Sequence, residues 1–276
     1  MIDKYNRPVL FYFLATGIPW ALWFTAGFIS HIEPYSDQYL KIASSVAFVG
    51  LLGPLGVSYF LIRRNPELLD DVYKRLFNFK SIKPIYIFIA CFLMLGSILL
   101  AQTISLLFGY SASQFVVTGH FTFTSGIFPV WFMLVIAPVL EELGWHSYGT
   151  DCLRNRMNLF KTSLLFGLFW AIWHIPLGTL RDYYQSNLIE TGWIYGVNFL
   201  VSVIPFALLM NWLYYKTGRN IILTIIFHIT AGFFNEIFAT HPDSKIIQTI
   251  LLLILATIIV MNDREFFFER ETGRIE

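Results

Sequence analysis

Four side chains in this sequence sit where ionisable groups are costly: Glu141 and Glu142 in APVLEELGWHSY, His174 in FWAIWHIPLG and His228 in IILTIIFHITAGFFNE. Each belongs to a long apolar run. By insertion scales an ionisable group at mid-membrane costs on the order of 2.5 to 3.5 kcal/mol, so it usually faces a protein interior or a wet cavity. A carboxylate shielded from bulk solvent accepts a proton from water readily, which turns that water into a nucleophile. The same carboxylate with two imidazoles also resembles a catalytic zinc set with one open position. Singly, each residue has an ordinary explanation: the acid pair marks the end of a span, and each histidine is a packed imidazole bonded to a carbonyl. Together, on three runs that hold almost no other ionisable group apart from Glu236 near one end, they point to one shared site.

The flanking residues add detail. Adjacent helical residues point about 100° apart, so one glutamate can face a reaction centre while its neighbour binds a supporting group. Pro138, three residues before Glu141, leaves the Leu134 carbonyl without its usual donor. Pro176 disfavours helix at Ile175 and predicts a break just after His174. Thr224, Gly232 and Asn235 share a face with His228, and Gly232 allows close approach of another helix.

The elements that position these residues follow from composition. The chain has 276 residues, 56% hydrophobic and 13% charged, with a mean hydropathy of +0.61. A net charge of +1 offers no basic surface to nucleic acid. Cys91 and Cys152 show neither metal-ligand spacing nor a disulfide framework. A membrane-crossing helix needs about 20 apolar residues, and such runs recur near 8–30, 42–62, 84–108, 127–147, 161–178, 193–215, 220–238 and 245–262. The expected fold is therefore all-α, a polytopic transmembrane bundle of about eight spans. It reads as one membrane-embedded domain over 1–276 with a motif-bearing core at about 127–238. Eight spans put both termini on the same side, and every Lys and Arg except Lys41, Arg181 and Lys245 then falls on that side, the cytoplasm by the positive-inside rule. The segment 65–83 spaces Leu68, Leu69, Val72, Leu76 and Phe79 as an amphipathic helix on the inner leaflet would, or else forms a solvated loop.

The three motif segments resemble the CPBP family of intramembrane proteases, which includes the type II CAAX prenyl endopeptidases and bacteriocin-processing or self-immunity proteins. The paired-glutamate pattern looks like EELGWH, an aromatic residue four before a histidine looks like WAIWH, and the third histidine lies in HITAG. The resemblance runs from Ala137 to Asn235. His146 stands where the family usually has arginine, and Gly232 where it usually has asparagine. A protonated His146 can still bond to Glu142 one turn back, and Asn235 lies one turn beyond Gly232.

The resemblance implies an intramembrane endopeptidase of the glutamate or metallo type, with catalytic residues Glu141, Glu142, His174 and His228 and supporting residues His146, Trp170 and Asn235. Glu141 would activate water, Glu142 would orient that carboxylate or its partners, His174 would position the water or protonate the leaving amine, and His228 would stabilise the oxyanion. No cofactor is obligate in this reading; a zinc ion, if used, would sit on Glu141, His174 and His228. The expected partners are membrane lipid and a membrane-associated peptide or protein substrate, not nucleic acid, and the expected location is the bacterial cytoplasmic membrane with both termini cytoplasmic. Two other classes use the same groups: a non-catalytic peptide-binding or immunity protein, and a proton-relaying transporter.

Overall fold

The computed structural model describes residues 1–78 and 82–269. Helices α1 (Pro8–Ser30), α2 (Asp37–Leu51), α3 (Gly53–Ile62), α4 (Pro66–Phe77) and α5 (Pro84–Leu106) form the first half. The second half holds α6 (Val130–Gly144), α7 (Thr150–Arg154), α8 (Leu159–Trp173), α9 (Tyr184–Thr191), α10 (Trp193–Lys216), α11 (Ile221–Ile237), α12 (Pro242–Asn262) and the short α13 (Arg264–Phe268). Among the described residues, six segments are long and apolar enough to cross a membrane: α1, α2 continuing into α3, α5, α8 with the turn after it, α10 and α12. Apolar α11 is shorter, and α6 runs through a π-helical turn at Trp145–Gly149 into α7. With these two, about eight membrane-embedded segments result, in an integral membrane protein.

The fourth segment differs from its expected bounds. The helical run does not stop near residue 147 but continues to Arg154, because the carbonyls loosened by the π turn find side-chain donors. Arg75 and Tyr214 bond to the His146 carbonyl at 2.7 and 2.9 Å, Arg75 also to that of Ser147 at 3.1 Å, and Tyr12 to that of Gly149 at 3.2 Å. Glu141 consequently lies near the middle of its segment rather than toward the terminal side.

Asn65 caps α4 by accepting from the backbone of Glu67 and Leu68, and Leu68 and Val72 turn inward while Leu69, Tyr73 and Phe77 are exposed. The amphipathic helix, not the loop, is what this segment forms. Its Arg75 is buried rather than solvated and bonds to Asp151 at 2.9 Å, beside Arg219, which reaches the same carboxylate at 2.6 Å. This cluster closes the end of the bundle that carries the termini. Phe79, Lys80, Arg270 and Arg274 lie outside the described residues.

Helices α6, α8 and α11 carry the motif residues, with α3 packed against α6, α10 against α8, and α5 against α11. Gly144 makes the first of these contacts possible: a Cβ there would fall 2.6 Å from the backbone of Pro54.

Candidate active site

The four motif residues converge from three helices. Glu141, His174 and His228 line one cavity of about 290 Å³, together with Trp170, Gly232 and Asn235. Glu142 is fully buried behind that wall. The offset between neighbouring positions thus divides the two carboxylates, one open to the cavity and one directed into the protein.

Each group facing the cavity is held from behind. Trp170 Nε1 donates to Glu141 Oε2 at 3.0 Å, which leaves Oε1 for the cavity. His174 Nδ1 donates to the Trp170 carbonyl at 2.6 Å, and His228 Nδ1 donates to Glu142 Oε1 at 2.9 Å. Both imidazoles therefore keep Nε2 for a ligand, because carbonyl and carboxylate oxygens accept and cannot donate. The Trp170 indole packs edge-on against the His228 ring, with centroids 5.1 Å apart. The break expected after His174 is present: α8 ends at Trp173 and a single 3₁₀ stretch, Ile175–Thr179, takes over around Pro176.

A simple rise along antiparallel helices sets His174 at a different depth from Glu141. Side chains tilt toward the N-terminus of their own helix. In α6 and α8 those tilts oppose, and both side chains line the same cavity.

The second glutamate anchors a buried polar chain. Its Oε2 is in ion-pair contact with His146 Nδ1. His146 Nε2 lies 3.0 Å from Asn211 Oδ1, and Asn211 Nδ2 donates to Ser163 Oγ at 3.1 Å. His146 thus lies between the Glu142 carboxylate and the Asn211 amide oxygen. Neither Asn211 nor Ser163 is discernible in the sequence, since neutral polar residues in apolar spans carry no signal of their own.

Asn235 lines the same cavity, with its amide engaged: Nδ2 donates to Tyr184 Oη at 2.8 Å and to Glu236 Oε1 at 3.3 Å. A Cβ built on Gly232 would meet nothing nearer than Leu134 Cδ2 at 3.5 Å, so this position has room for a side chain. Among the described residues, no three His, Cys, Asp or Glu side chains form a group that could hold one metal ion. Glu141, His174 and His228 share one wall of the cavity.

Beyond Asn235 the cavity runs to Tyr184, Glu236 and Lys245, at the end of the bundle away from the termini. The loop between α5 and α6 covers that end. Glu236 Oε2 accepts from Thr122 N at 3.0 Å and from Thr122 Oγ1 at 2.7 Å, while Phe123 and Phe128 contribute to the lining.

Comparison with known proteins gives two matches. The family model for Rce1-like type II CAAX prenyl endopeptidases matches residues 122–234, which contain all four motif residues. A curated protein of Methanococcus maripaludis, "CAAX prenyl protease 2", is 39% identical over 273 residues, covering 98% of this chain and 99% of the relative.

Proposed function

Because the chain belongs to the Rce1-like type II CAAX prenyl endopeptidase family, and is thus a membrane-embedded peptidase, we propose that it hydrolyses a peptide bond with a water activated by Glu141. The observation that carries this reading is the placement of Glu141: a buried carboxylate with one oxygen held by Trp170, on the wall of a cavity shared with two histidines whose Nδ1 atoms are already bonded. Glu141 Oε1 takes a proton from water, and His174 Nε2 orients that water. The hydroxide attacks the scissile carbonyl carbon. The carbonyl oxygen, now an oxyanion, accepts from the protonated Nε2 of His228. As the C–N bond breaks, Glu141 returns its proton to the leaving amine. Glu142 holds the His228 ring in place, and His146 contacts the other oxygen of Glu142.

The substrate in this reading is the C-terminal peptide of a membrane-associated protein; the "CAAX prenyl" in the relative's name supports a lipid-modified one. Every step uses protein groups and water, and no metal is obligate. Metal content of purified, active enzyme tests that point: one zinc per active chain, with activity lost to chelators, would overturn it. The basic residues support a cytoplasmic-membrane topology with both termini inside. An impermeant thiol reagent added to intact cells should then label a cysteine at Thr124 and not one at Asp3; the reverse pattern would put the covered cavity end in the cytoplasm.

The decisive test is cleavage of a fluorogenic membrane peptide by Glu141→Gln and His174→Ala. Loss of about 10²- to 10⁴-fold in kcat is expected for Glu141→Gln, with the melting temperature nearly unchanged. Cleavage persisting in both variants would overturn the catalytic assignment, whereas peptide binding without cleavage by the wild type would leave the non-catalytic peptide-binding reading.

A further inference from the structure

Lys245 is a cation at one end of the cavity whose anionic neighbour is already occupied. Its side chain is 14% exposed, and its Nζ stands 3.8 Å from Glu236 Oε1, outside hydrogen-bond range. Glu236 does not need it. That carboxylate takes the backbone N–H and hydroxyl of Thr122 on one oxygen and the Asn235 amide on the other. The ammonium also lies 5.5 Å from the centre of the Tyr184 ring. An ammonium has three strong donors, and among the described residues none of them is used in a hydrogen bond. Lys245, Glu236 and Tyr184 all border the same cavity as Glu141.

Resting on the peptidase reading above, we propose that Lys245 receives the free carboxylate at the C-terminus of the peptide substrate. Eight residues of α11 separate His228 from Glu236, roughly 12 Å at about 1.5 Å per residue. An extended peptide advances about 3.3 to 3.6 Å per residue. A chain whose scissile carbonyl lies at His228 therefore brings its carboxylate to Lys245 when about three or four residues follow the cut. The lysine thus acts as a gauge: it favours substrates that end there and selects against internal bonds, where a continuing chain offers a neutral amide.

The test uses the full-length enzyme in nanodiscs of zwitterionic lipid, and paired peptides that differ only in ending as a free acid or an amide. For the wild type, the acid should show a KM about tenfold below that of the amide, the worth of one charge-assisted hydrogen bond. Lys245→Met should raise KM for the acid to that of the amide with kcat little changed, and Lys245→Arg should restore most of the preference. Lengthening the segment beyond the cut to six residues should also abolish the preference in the wild type. Equal KM values for acid and amide in the wild type, or a preference that survives in Lys245→Met, overturns the proposal. So does an effect of Lys245→Met that appears only in nanodiscs containing phosphatidylglycerol, which assigns the ammonium to a lipid headgroup. Binding of the two peptides to Glu141→Gln protein, measured by fluorescence anisotropy, separates this proposal from the catalytic one. If no peptide is cleaved but the acid still binds about tenfold tighter and loses that advantage with Lys245→Met, the carboxylate site stands and the hydrolytic reading fails.

Discussion

His228 and Glu142, 86 residues apart in the chain, are joined by a hydrogen bond of 2.9 Å between Nδ1 and Oε1. One partner is fully buried and the other borders the cavity, so the bond transmits the position of the protein interior to the imidazole nitrogen that meets the substrate. Breaking a buried pair by removing one member typically costs 3 to 5 kcal/mol, because the remaining group is left uncompensated. Glu142→Ala should therefore lower the melting temperature sharply and abolish cleavage. His228→Gln, at the cavity edge, should fold better while losing about 10²-fold in kcat. Thermal melts and kinetics of both variants check this; an active, stable Glu142→Ala protein would show the pair to be dispensable.

Trp170 offers a finer test of the first carboxylate. Replacing it with Phe keeps an aromatic ring against His228 but deletes the N–H that bonds to Glu141 at 3.0 Å. A freed Glu141 side chain should lower kcat about tenfold, with KM almost unchanged, since the lost bond orients the base and does not touch the substrate. A rise in KM alone would show instead that the indole shapes the binding cavity.

Asn211 is expected to matter for His146 rather than for the substrate. Asn211→Leu removes the acceptor 3.0 Å from His146 Nε2 and strands Ser163, which should destabilise the protein by about 1 to 3 kcal/mol and reduce kcat severalfold. Asn211→Asp retains an acceptor for the imidazole and should recover most of the activity. Denaturation curves with matched kinetics decide it. Equal losses in the two variants would mean that packing, and not hydrogen bonding, governs this position.

Gly232 invites a gain of function. The family resemblance places asparagine here, and a Cβ at this position would have its nearest neighbour 3.5 Å away, an ordinary contact. On α11, one turn beyond His228, a carboxamide could add a second donor to the oxyanion. Gly232→Asn should raise kcat by about tenfold or more, and the replacement of an interior helical glycine should not reduce stability. A variant that folds normally but shows no increase would indicate that His228 alone serves the oxyanion.

Several features were open to sequence reasoning because they depend only on the order of residues. Long apolar runs must become helices in lipid, where each backbone N–H and C=O has to be satisfied within its own segment. Glu141, Glu142, His174 and His228 were conspicuous because charge in such runs is rare. Pro176 announced the break behind His174. The tertiary structure decided everything that depends on which faces meet. It extended α6 through a π turn to Arg154, because donors from α1, α4 and α10 reach the loosened carbonyls. It drew Arg75 out of an apparent surface helix into a buried pair with Asp151. It also separated the roles of two neighbouring glutamates, put Asn211 against His146, and left the Lys245 ammonium at the far end of the cavity. Hydrophobicity is a property of each segment by itself, whereas a hydrogen bond between distant helices exists only after their rotation and depth have been set by packing.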